Sequence, residues 1–308
     1  MLIAVMGAIG ACTFEPGGLA AGGGSEDGGG SLGDAAVLQP DAALVADAAL
    51  RDSAPPAETE LHLLVTEVKT QPSDEELIEI FNPLATAEPL DDYYLSDDPL
   101  YALLAGGSGE IAVGNGDAIL RFPAGATIGA GQVVVIALAE DGFRSAFGRD
   151  PDFAVVPADP PVAEAMVSVA DAARTMDIRD TGEPIILFHW DGVSDLVGDV
   201  DMVFVGDEQP APGTDNSVPD KSAIQVDGPD ADATASQYAT DAVLMTSMSF
   251  RASNAGSYQR VAAEAGHERR ADGNGVEGHD ETSEDTLATW GQGDMAPTPG
   301  VVAPALRP

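Results

Sequence analysis

The chain has 308 residues, of which 44% are hydrophobic but only 5% aromatic, with 35 Gly and 22 Pro, so it offers one aliphatic core of moderate size beside much loop. With 13 basic residues against 52 acidic ones the net charge is −39, which repels phosphate backbones and anionic lipid; this excludes nucleic acid as a partner and charge as a route to the membrane. The single cysteine leaves no internal disulfide, only a reactive or a capped thiol.

Residues 2–11 read LIAVMGAIGA. Ten apolar residues fall far short of the about 20 that a bilayer span needs, but they suit the apolar centre of an export signal. Ile9, Gly10, Ala11 and Cys12 resemble the lipobox of bacterial lipoproteins, an aliphatic residue and two small ones before the modified cysteine. The resemblance implies that residues 1–11 are a signal peptide and that Cys12 carries the lipid. Acyl chains at ~0.8 kcal/mol per buried methylene would then hold the protein at the membrane. No Lys or Arg precedes the apolar run, where such signals carry positive charge. Thr13 in place of Asp resembles the sorting pattern for an outer membrane.

From residue 12 to 57 the chain is Gly-rich and then dominated by Asp-Ala steps and Pro. It has too little apolar area to offset its ordering entropy and reads as a disordered linker. The texture changes at Glu60. Short aliphatic and β-branched runs at 61–68, 76–81, 111–113, 118–122, 132–138, 184–190 and 201–206 are separated by Gly, Pro, Asn and Asp and predict strands. Ile78 and Ile80 alternate with Glu79 as in a half-buried strand that Asn82-Pro83 stops. FPAGATIGAGQ (122–132) predicts a turn-rich connection, and Asp191-Gly192 a tight hairpin between two apolar runs. Only 162–177 has helical composition, and it predicts a short helix or an ordered loop. Many short strands with little helical periodicity predict an all-β domain, a β-sandwich, over residues 58–303, followed by a tail at 304–308.

The order of the fragments resembles a lamin tail domain from about Glu58 to Ala303. LLVTEVKTQPSDEELIEIFNP is similar to that family's opening strand pair, and PLDDYYLSDD to its segment ending in Leu-Ser-Asp. RFPAGATIGAGQVVVIA is similar to its Phe-Pro-x-Gly hairpin, and GEPIILFHWDGVSDLVGDVD to a later pair around Asp-Gly. SYQRV (257–261), Trp290 and PTPG (297–300) resemble its closing features. The resemblance implies an immunoglobulin-like sandwich that serves as a structural or adhesive module and not as an enzyme. Asp-rich polar insertions near 207–242 and 264–286 depart from the family.

The sequence presents no catalytic signature. Among His62, His189, His267 and His279 no pair has the helical spacing of a zinc motif, and His62 and His189 fall in predicted strands as sheet residues. GGSG at 106–109 lacks the full Gly-x-Ser-x-Gly elbow of a hydrolase. GHERRADGNGVEGHDETSEDT (266–286) gathers His267, Asp272, Asn274, His279, Asp280, Glu281, Glu284 and Asp285. Its D-G-N-G opening is similar to a calcium loop, but the twelfth residue from Asp272 is Ser283 and not Glu. Asp272, Asn274, Asp280 and Glu281 are the metal candidates. The leading expectation is therefore a non-enzymatic envelope lipoprotein, bound to the membrane through Cys12, with a protein or polysaccharide ligand and no cofactor. One alternative is a calcium-dependent binding protein using the 266–286 loop; another is a secreted hydrolase with a site assembled across loops.

Overall fold

Two runs of alternating apolar residues, Leu64–Lys69 (β1) and Leu77–Phe81 (β2), open the domain as an antiparallel pair with a bulge between Val65 and Glu67. The structure, a computed structural model, describes residues 62–106, 111, 113–169, 175–214 and 216–307, all within the second of the chain's two units, Ser53–Pro308. The signal peptide, Cys12 and the linker to residue 57 lie outside the described residues, as does Ser108 of the GGSG run.

In chain order there follow Glu88–Pro89 (β3), Tyr93–Ser96 (β4), Ile119–Arg121 (β5), Thr127–Ile128 (β6) and Val133–Ala139 (β7). A helix, Glu140–Phe147 (α1), leads to Phe153–Val156 (β8), Glu164–Ala165 (β9) and Val167–Ser168 (β10). Then come Gly182–His189 (β11), Gly198–Gly206 (β12), Gln225–Val226 (β13), Ser236–Gln237 (β14) and Tyr258–Gln259 (β15), before a last turn of helix at Thr286–Thr289 (α2). One sheet has the order β15-β1-β2-β7-β8-β9 and the other β10-β5-β4-β11-β12, while two short pairs, β13-β14 and β3-β6, stand apart. The described residues are thus mostly strands with little helix, an all-β fold.

A strand sends successive side chains to opposite faces. Ile78, Ile80, Val134 and Ile136 of the first sheet enter one core with Leu95, Leu120, Ile185, Leu187 and Val203 of the second. The other faces are covered as well. On the first sheet, Leu77, Val135 and Ala137 lie under Phe143 and Phe147 of α1, and Leu64 and Phe81 lie under Val302 and Leu306. The segment expected as a tail from 304 therefore holds a short 3-10 turn, Pro304–Leu306, whose Leu306 is buried. On the second sheet, Ile119, Ile186, Met202 and Phe204 are covered by Tyr101, Val218, Val226, Tyr238 and Met245. The polar insertion near 207–242 is thus a cover for a sheet face, and its few apolar side chains do the covering.

The double cover changes the reading of Glu79. Expected on a water-facing side, it is fully buried and accepts hydrogen bonds from Thr66 Oγ1 at 2.8 Å and Gly300 N at 2.6 Å. Three further expectations are corrected. Ile111 and Val113 are not in a strand; Val113 packs beside the outer face of the second sheet instead. Residues 164–168 are extended, because β9 joins the edge of the first sheet beside β8, β10 joins the edge of the second beside β5, and Met166 between them enters the shared core. No helix occurs at 162–169 or 175–177, and residues 170–174 lie outside the described set. The hairpin β11-β12 forms, but its connection runs from 190 to 197, with Gly192 at φ 76° and Asp191 Oδ1 accepting the N–H groups of Val193 and Ser194. The unexpected helix, α1, leaves β7 directly, and at Gly142 an added Cβ would meet Asp74 O at 1.8 Å, so only glycine allows that approach.

Candidate metal centre

Chain segments about 200 residues apart in sequence meet at the start of β1. His62 precedes that strand and is buried, 4% exposed, so its role is not that of a sheet residue as the sequence suggested. Opposite it, residues 264–286 fold back on themselves through antiparallel bridges between Glu268 and Glu284 and between Ala271 and His279. The fold-back brings Glu264, His279 and Glu281 against His62, and one ligand atom from each of the four lies within 4.8 Å of the other three. The two imidazole rings meet edge to face, with centroids 5.0 Å apart.

The imidazoles are oriented from behind. His62 Nδ1 lies 3.1 Å from Leu63 O, so a proton there donates to the carbonyl and leaves the lone pair on Nε2, which faces Glu264 Oε2 at 4.0 Å. His279 Nδ1 lies 3.1 Å from Glu268 Oε2. For His62, a carbonyl behind the ring is the arrangement that fixes the tautomer of a metal-ligating histidine.

The carboxylates carry the electrostatic problem. Glu264 and Glu281 are both fully buried, and apart from one another none of their four oxygens meets a hydrogen-bond donor. Burial first, then the charges of Asp201 and Glu284, pushes the Glu264 carboxyl well above the usual carboxylate range, with Arg260 pulling the other way. Burial and Glu264 do the same to Glu281. Arg260 is the nearby cation, and it is already engaged: its guanidinium meets Asp201 Oδ1 at 2.6 Å and Glu284 Oε1 at 2.8 Å, and donates to Val65 O at 2.9 Å, while Glu264 Oε2 stands at 3.9 Å. One guanidinium thus meets three buried carboxyls, Asp201, Glu264 and Glu284, and the fourth of the group, Glu281, lies against Glu264. An excess of buried negative charge is stable only if protons or another cation neutralise it.

Two imidazoles and two carboxylates suit zinc or a similar first-row divalent ion better than calcium, which prefers an all-oxygen shell. Tetrahedral zinc with bonds of about 2.0–2.1 Å holds its donors about 3.3 Å apart, so the four groups would draw together on binding the ion.

The candidates from the acidic loop fare differently. Asp272 is exposed, with φ 64°. Asn274 bridges to Ala239, accepting its N–H at 2.7 Å and donating to its carbonyl at 3.0 Å, and also donates to Asp241 Oδ1. Asp280 accepts from Thr282 Oγ1 at 2.7 Å and from Ala242 N at 3.1 Å. Asn274 and Asp280 hold the loop to its neighbours while Asp272 is exposed, so the four residues do not form a calcium loop, and of them only Glu281 joins a metal-capable group. His62 and Glu264 went unrecognised because no local spacing links them, and His189 remains a sheet residue, edge-on to Tyr93 at 5.2 Å.

No family model matches the chain, and no curated protein matches it. Among solved structures the chain is similar to a DUF4876 family protein from Bacteroides thetaiotaomicron VPI-5482, with a TM-score of 0.44 and 15% identity over 77% of this chain and 72% of that one.

Proposed function

We propose that the protein is a lipid-anchored, exported binding module of lamin-tail type, an immunoglobulin-like sandwich, whose C-terminal loops are clamped by a divalent transition-metal ion at His62, Glu264, His279 and Glu281. The observation that carries the metal reading is the convergence of these four donors within 4.8 Å, two of them buried carboxyls that meet no donor but each other. Four protein ligands complete a tetrahedral shell and leave no position for substrate or water, which favours a structural ion over a catalytic one. The module reading draws on two sheets that share one core, with the loops between them pinned in place. The anchor reading draws on Cys12 and the small residues before it, since a chain of net charge −39 needs a lipid to stay at an anionic membrane. A protein or polysaccharide would then meet the loop ends of the sandwich.

Zinc added to chelator-treated protein should raise the unfolding midpoint, with a gain in stability of about 2.7 kcal/mol at a hundredfold excess over Kd. His279→Ala should remove that gain while the protein still folds. A parent midpoint indifferent to zinc, cobalt and manganese ends the clamp reading. For the anchor, Cys12→Ala should move the protein from the membrane fraction to the soluble one, and retention in the membrane would refute it.

A further inference from the structure

A second buried carboxylate group lies in the other sheet. β5, β4 and β11 are neighbours there, with Ser96 opposite both Ile119 and Ile186. At one end of the three strands stand Asp97, directly after β4, Asp117, just before β5, and Glu183, the second residue of β11. All three are buried, at 0%, 1% and 0% exposure, and one oxygen of each lies within 4.8 Å of the others.

The donors here are all oxygen. Asp97 Oδ1 accepts the Ala118 N–H at 2.7 Å, but Oδ2, equally buried, has no hydrogen-bond partner. Glu183 accepts from Arg179 N at 2.5 Å and from the Asn216 side chain, one bond to each oxygen, which leaves a lone pair on both. Asn216, itself buried, places an amide beside the group. These bonds hold Asp97 and Glu183 in position, and the charge of Arg179 also acts on Glu183.

We infer that Asp97, Asp117 and Glu183 form a second cation site, selective for a hard divalent ion of the calcium class and distinct from the histidine-containing centre. Three anionic oxygens with no imidazole or thiolate among them match the preference of calcium, which completes its shell with carbonyls and water. Asp97 Oδ2 supplies the observation that acidity alone does not: a buried oxygen without a hydrogen-bond partner, on a carboxylate that stands within 4.8 Å of two others. The site ties together three strands and, through Asn216, the segment that covers the outer face of the sheet. Calcium would then stabilise this cover, whereas zinc would stabilise the 264–286 fold-back.

The test uses the full chain, stripped of metal, at an ionic strength high enough to screen weak binding to its acidic surface. Equilibrium dialysis with calcium should find one ion per chain, and calcium should raise the unfolding midpoint. Asp97→Asn should weaken binding by at least about tenfold and abolish the calcium-dependent gain while keeping any gain from zinc; His279→Ala should do the reverse for zinc and leave calcium binding intact. Should Asp97→Asn fail to fold, Asp117→Asn provides the same comparison, and dialysis of the parent needs no variant. A parent that binds no calcium at millimolar concentration, or an Asp97→Asn protein that binds it as the parent does, overturns the site. Loss of calcium binding in His279→Ala would overturn its independence from the first centre.

Discussion

Lys221 and the His62 cluster are two solutions to the same difficulty, negative charge inside the protein. Lys221 is buried, with Nζ 2.7 Å from Asp199 and 3.1 Å from Asp241, and the Tyr101 hydroxyl donates to Asp199 at 2.6 Å. Its ammonium also lies 5.7 Å from the Tyr101 ring centroid. There the chain supplies its own cation. At Glu264 and Glu281 it supplies donors of the right type and spacing but one guanidinium for four carboxyls. The difference teaches that buried acidity in this protein is of two kinds, internally compensated and open to an outside cation, and that composition alone cannot separate them.

The comparison breaks first at Lys221. Lys221→Met should destabilise the domain by about 3–5 kcal/mol, because it leaves Asp199 and Asp241 buried without their cation. Denaturant unfolding measures this, and added zinc should stabilise parent and variant alike and leave the difference between them, since neither aspartate belongs to the four-donor group. A mild effect, or a difference that zinc closes, would mean that the two regions are not separate in kind.

Glu79 sharpens the comparison from between the two cases, because its partners are an N–H and a hydroxyl and not a full charge. Burial pushes its carboxyl from 4.5 up to about 7, while the bonds from Gly300 and Thr66 pull it down. The folded protein thus holds this proton more tightly than the unfolded chain does. The stabilisation is complete below pH 4.5 and is lost as the pH rises to about 7, for a total of up to about 3 kcal/mol. Glu79→Gln, measured by unfolding at pH 4.5 and pH 7.5, should flatten that part of the profile. An unchanged slope would show that Glu79 is not the group that titrates there.

Much of the sheet scaffold was legible. The runs at 61–68, 76–81, 118–122, 132–138, 184–190 and 201–206 all contain strands, because aliphatic and β-branched residues bounded by turn formers have few other ways to bury themselves. Helix α1 was missed: EDGFRSAF is short, and the apolar strand before it runs straight on. Its cues were the acidic first turn, Arg144 near the end and Gly148 as a left-handed cap with φ 64°. The candidate metal site was half legible. The acidic loop stood out, but the residue it needed most, His62, read as one more position in a strand.

Composition, the isolated Cys12 and the spacing of strand and turn residues are properties of the chain itself, and from them came the acidity, the expected anchor and the all-β class. Partnership across the fold is different in kind. Whether Glu79 meets water or Gly300, whether the 207–242 insertion hangs free or lies over a sheet, and whether His62 sees Glu264 are matters of which distant segments come together. Local propensity acts over a few residues, whereas the cost of a buried charge depends on everything within a few ångströms of it, and that neighbourhood exists only once the chain has folded.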